Sequence, residues 1–119
     1  MKNEDTDDIL GKTIDSVYLS SDKENFIIRF SDGFEAKFAT MTDCCSRSWI
    51  EEFEVYITEL KGSLLVDVKD SDTVKHEYHP EHDCLQVYRT IFSTDRGDIV
   101  LEYRNSSNGY YGGWLVRVY

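Results

Sequence analysis

Apolar residues alternate with polar ones along several stretches of the chain, and that period of two dominates the sequence. Phe26, Ile28 and Phe30 alternate with mixed neighbours, and so do Phe34, Ala36 and Phe38, which predicts two paired strands with one buried face. The turn between them sets the register. A two-residue Asp32-Gly33 loop would set Phe30 opposite Glu35 and mix the faces. A three-residue Ser31-Asp32-Gly33 loop pairs Phe30 with Phe34, Ile28 with Ala36 and Phe26 with Phe38. A slip of one residue would move the aromatic set into water, so the longer loop is expected, with Gly33 in the left-handed position.

Other strands read similarly. Thr13–Ser20 carries Ile14, Val17, Tyr18 and Leu19, and Leu60–Lys69 repeats that start, each with a valine six residues beyond its glycine (Gly11, Gly62). Cys84–Thr94 is a long strand with Leu85, Val87 and Ile91 on one face and Tyr88 and Phe92 on the other. Asp95-Arg96-Gly97 turns the chain, so that Ile99, Leu101 and Tyr103 return on the inner face. Leu115–Tyr119 closes it. Asp70–Asp83 is polar and unpatterned, which predicts an irregular loop.

One segment breaks the alternation. Trp49, Ile50, Phe53 and Ile57 fall at helical spacing, and Ser48 with Glu51 forms a capping-box pattern. A short helix is expected from Ser48, fraying beyond Glu54, where β-branched residues begin. The fold class is therefore α+β, mostly β, built as two antiparallel halves (about 9–59 and 60–119) behind a mobile acidic tail, 1–8. Strand, strand, glycine turn, strand and polar loop occur in that order twice, which leaves an internal duplication open. Under it, Asp43-Cys44-Cys45-Ser46 and Asn105-Ser106-Ser107-Asn108 would occupy equivalent positions on one rim.

The Gly11-Lys12-Thr13-Ile14 start, the Asp43-Cys44-Cys45-Ser46 element with Trp49, the second glycine-led strand at Gly62 and the Arg104–Gly113 ending with Asn108, Tyr110 and Tyr111 carry a resemblance. From Ile9 onward the chain resembles a family of small uncharacterised proteins of phage and bacterial genomes. That resemblance implies a phage or mobile-element setting and transfers no activity. The longer Asp70–Asp83 stretch departs from the family's usual compactness.

Charge narrows the function classes. With 13 basic and 23 acidic side chains the net charge is −10, which disfavours direct binding to a phosphate backbone. No apolar run approaches the length of a membrane span, and no signal-peptide core precedes the first strand. Three cysteines, two of them adjacent, do not form a secreted disulfide framework. A cytoplasmic setting in a bacterial host is the expectation.

Three sets of residues are candidates for function. Adjacent Cys44 and Cys45 cannot readily offer both sulfurs to one tetrahedral ion, so one is expected inside as a small hydrophobe, with a reactive thiol beside the helix start as the alternative. His76, His79, His82 and Cys84 are zinc-type ligands within nine positions, but their spacing fits no standard zinc motif. Tyr110, Tyr111 and Trp114 among glycines read equally as a hairpin packing on the sheet or as an aromatic contact surface. No nucleophile–histidine–carboxylate set is legible, and Glu51 and Glu52 would diverge on a helix.

The leading expectation is thus a non-enzymatic binding protein without cofactor. It would use Asp43, Cys44, Cys45, Ser46, Trp49, Asn105, Asn108, Tyr110, Tyr111 and Trp114, and inhibit a basic host nucleic-acid-binding or defence protein by presenting carboxylates where phosphates would sit. Two alternatives stand beside it. One is capture of a small molecule or nucleotide in a pocket lined by Trp49, Cys44, Tyr110 and Asn105; the other is metal-dependent activity at the histidine loop.

Overall fold

A computed structural model describes residues 5–42, 47–70, 75–79, 82–107 and 113–118; of these, 42, 47, 75–79, 82–86, 107, 113 and 114 are described by backbone alone. Nine strands form two antiparallel sheets. They are β1 (Ile14–Leu19), β2 (Asn25–Phe30), β3 (Glu35–Thr42), β4 (Arg47–Tyr56), β5 (Leu65–Asp70), β6 (Lys75–His79), β7 (His82–Thr94), β8 (Gly97–Ser107) and β9 (Gly113–Val118). One sheet runs β1-β2-β3-β9 and the other β4-β8-β7-β5, with β6 pairing β7 beyond the end of β5.

The expected hairpin register holds. Phe26 lies opposite Phe38 and Ile28 opposite Ala36, while the Phe30 amide donates to the Phe34 carbonyl at 2.9 Å. Gly33 sits at φ 90°, where a Cβ would be strained. The inward set Phe26, Phe38, Ile50, Phe92, Ile99 and Leu101 is fully buried between the sheets. Phe92 lies 5.5 Å from the Phe26 ring and 5.1 Å from the Phe38 ring, joining one sheet to the other.

Two expectations are corrected. Residues 47–56 form strand β4 rather than a short helix. The helix-like spacing comes from a β-bulge: Ile50 pairs with Tyr103 and Glu52 with Glu102, so Glu51 is the extra residue. One inserted residue turns an alternation of two into a spacing of three, which returns Ile50 and Phe53 to the same inward face. The polar Asp70–Asp83 stretch is likewise not wholly irregular, since it contains β6 and the start of β7, with His79 opposite His82.

The same device marks both glycine-led strands. Asp15 in β1 and Val66 in β5 are the extra residues of two further bulges, and each lies four positions beyond its glycine. Backbone hydrogen bonds repeat with a constant offset between the two starts. The Gly11 amide donates to the Leu65 carbonyl at 2.8 Å, and the Gly62 amide to the Ile14 carbonyl at 2.8 Å; the Ile14 amide reaches Ser63 and the Leu65 amide reaches Lys12. Thr13 bridges Leu64 at the centre. The halves are thus related by an approximate two-fold axis through that bridge. Each half builds a three-stranded unit, β1-β2-β3 or β5-β7-β8, and gives its last strand to the other: β4 joins β8 and β9 joins β3.

Of the stretch expected to be a mobile tail, Asp5–Asp8 lie against the molecule. Thr6 is buried, its carbonyl accepts from the Ile9 amide at 3.0 Å, and Ile9 enters the core. Asp8 accepts two hydrogen bonds from Arg117, at 2.9 and 3.1 Å. Arg117 points inward from β9 and lies over the rings of Phe34 and Phe38, 5.8 and 5.9 Å from their centroids.

Candidate functional site

The strand exchange fixes where the two polar connections attach. Thr42, before the first, pairs with Gly113, after the second; Arg47, after the first, pairs with Ser106, near the start of the second. The strand ends that carry the connections are therefore neighbours in both sheets. Asp43, Cys44, Cys45, Ser46, Asn108, Tyr110 and Tyr111 lie outside the described residues, as do the side chains of Trp114, His76, His79, His82 and Cys84.

Trp49 and Asn105 are described, and they occupy opposite faces of the β4-β8-β7 sheet. Asn105 belongs to β8, is fully buried, and accepts a hydrogen bond from the Ser48 hydroxyl at 2.9 Å. The Ser48 carbonyl accepts from the Thr40 hydroxyl of the other sheet at 3.4 Å. Nearby, Tyr103 is buried and stacks on Tyr88 with centroids 5.2 Å apart. Burial, with the charge of Asp70 beside it, pushes the Tyr103 hydroxyl up to about 12. Of these groups, the Thr40–Ser48 bond joins the two sheets, while Asn105 and Tyr103 are buried on the inner face of β8.

Trp49 faces outward opposite Arg104, and its indole N–H donates to Glu51 Oε2 at 2.8 Å. That bond depends on the bulge, which frees Glu51 from the ladder. Arg104 extends from there: Nη1 lies 3.6 Å from Glu51 Oε2 and Nη2 lies 2.9 Å from Glu102 Oε1. The other Glu102 oxygen accepts from Arg89 Nε at 3.1 Å. Glu102 is thereby held between two guanidinium groups on the outer face, with Glu52 and Glu54 on one side and Arg89 on the other.

This face holds a shallow cavity of about 150 Å³ lined by Glu52, Glu54, Tyr56, Arg89, Val100 and Glu102. The Tyr56 hydroxyl donates to Glu54, which raises its pKa above the ordinary tyrosine value. The volume is below the roughly 300 Å³ at which pockets for drug-sized ligands begin, and suits one side chain. Sequence reasoning passed over this cluster because a helix for 48–54 would have scattered Glu51, Glu52 and Glu54. Strand alternation from Glu52 to Tyr56, had it been read, would have placed Glu52, Glu54 and Tyr56 together.

Residues 7–116 match the family described as "Domain of unknown function (DUF7448)". The chain belongs to the DUF7448 family. An uncharacterised protein of Acanthamoeba polyphaga mimivirus is 39% identical to this DUF7448 chain over 77 residues, which cover 61% of the chain and 60% of that relative. No solved structure matches it. Among the described residues, no helix is long and apolar enough to cross a membrane.

Proposed function

We propose that this DUF7448 protein is a non-enzymatic binding protein that engages a basic partner protein through the outer face of β4-β8-β7. The observation that carries the reading is the composition of that face. Among the described side chains of that face, Glu51, Glu52, Glu54, Asp98 and Glu102 stand against Arg89 and Arg104, and both arginines are already engaged by Glu102. The uncompensated carboxylates, Glu52, Glu54 and Asp98, are exposed. Strand geometry spaces the successive outward side chains Glu52 and Glu54 by about 7 Å, with Asp98 opposite Tyr56 on the neighbouring strand. Such a row presents carboxylates where a nucleic-acid-binding surface receives phosphates.

The mimivirus relative supports a viral or mobile-element setting. The fuller form of the proposal is inhibition of a host nucleic-acid-binding or defence protein, in the cytoplasm of a bacterial host. The cavity between Glu52, Glu54 and Glu102 then takes an arginine or lysine side chain of the partner. At about 150 Å³ this cavity is sized for one side chain.

The test uses immobilised protein, wild type and an E52K/E54K variant, to capture proteins from host lysate. The expected captured species bind nucleic acid, are released by duplex DNA, and are absent from the variant. Capture unaffected by both DNA and the double substitution would refute the proposal.

A further inference from the structure

The other outer face has a different chemistry. Strands β2 and β9 carry apolar residues at consecutive positions, Phe26-Ile27-Ile28 and Leu115-Val116, a pattern of strands covered on both sides. The sandwich covers only one of those sides. Outward from β1-β2-β3-β9 project Tyr18, Ile27, Ala39, Met41, Val116 and Val118, bordered by Ser16, Arg29 and Glu35; Tyr18, Met41 and Val118 are exposed by 41, 48 and 39%, and Ile27 by only 8%.

Two cations stand on this face, Arg29 and Lys37. Lys37 lies in the cross-strand row between Ile27 and Val118, and is exposed. The neighbouring outward carboxylate on β3, Glu35, is engaged by Arg29 at 2.5 Å. Among the described residues Lys37 makes no ion pair, although acidic side chains outnumber basic ones 23 to 13 in this chain.

We propose that this face docks a partner protein through an apolar surface bearing a carboxylate, which meets Lys37. A second copy of the chain fits poorly. It would offer another lysine-centred face with its one outward carboxylate already engaged. Four strands, three of six residues and one of eight, also present roughly 19 by 20–26 Å, or about 400–500 Å², short of the ~800 Å² per partner that a stable dimer buries. That footprint suits a transient contact with a partner whose charge complements Lys37.

The probe is a random dodecapeptide display library selected on the full-length protein. Enriched peptides are expected to carry bulky apolar residues around an aspartate or glutamate. A synthetic enriched peptide should perturb the amide resonances of Tyr18, Ile27 and Val118. It should bind K37E about tenfold or more weakly, and bind E52K/E54K as it binds wild type. Replacing the peptide's carboxylate with lysine should restore binding to K37E. The proposal is overturned by peptides that lack a carboxylate or bind K37E equally. It is also overturned by perturbations confined to β4-β8-β7, by an absence of enrichment, or by a concentration-dependent dimer that V118D abolishes. Because E52K/E54K is a separate arm, failure here is distinguishable from failure of the acidic-face reading.

Discussion

The carbonyl oxygen of Tyr56 leaves no room for a side chain at position 97. A Cβ on Gly97 would collide with it, and φ of 140° is strained for any other residue. Gly97→Ala is expected to lower unfolding free energy by about 2 kcal/mol or more, read by urea denaturation, because neither β4 nor β8 can retreat without opening the ladder. Asp8 gives a test of different sign. Its hydrogen bonds from Arg117 hold its carboxyl below the ordinary value of 3.8. A depressed folded-state pKa contributes stability that is present above the unfolded value and lost as pH falls through the folded one. Asp8→Asn should therefore lower Tm at neutral pH. The gap from wild type should close on acidification below the ordinary carboxylate range; a gap that persists in acid would mean that Asp8 acts by packing instead.

Bulges are the elements that the sequence disguised. The 25–38 hairpin was legible to its register because alternation and a glycine turn agreed. The inward run Ile99, Leu101 and Tyr103 was legible for the same reason. In β4, however, the spacing of Ile50 and Phe53 fits a helix turn and a bulged strand equally, and Ser48 with Glu51 tipped the reading towards the helix. Val55 and Tyr56 were the contrary signs, since β-branched and aromatic residues favour strands. The same spacing at Ile14–Val17 and Leu65–Val68 was seen as a repeat but not as a pair of bulges. If Glu51 is the extra residue, deleting it leaves every inward pair of β4 in place. The deletion variant should stay folded with an unchanged β4–β8 register by NMR, losing about 1–2 kcal/mol with the Trp49 and Arg104 contacts. Global unfolding would contradict the bulge assignment.

At the scale of the molecule, the exchange of β4 and β9 makes each sheet depend on the opposite half of the chain. The equivalence of the halves could be suspected from Gly11 and Gly62, but the exchange could not, because strand order within a sheet depends on contacts distant in sequence. It also leaves two unlike outer faces. The five-stranded sheet gathers carboxylates, and the four-stranded sheet gathers aliphatic side chains around Lys37. Of the residues singled out from sequence, Trp49 borders the acidic face through Glu51, whereas Asn105 is an interior residue that ties β8 to β4 within one sheet. A polar residue next to a glycine-rich stretch reads as exposed, and only the register of β8 shows that position 105 points inward. The acidic face is the proposed recognition surface. Its most direct test is the salt dependence of affinity for a captured basic partner, by calorimetry on wild type and E52K/E54K between about 50 and 200 mM salt. Affinity is expected to weaken steeply with salt for wild type and much less for the variant; equal slopes, or a salt-insensitive complex, would rule out recognition through these carboxylates.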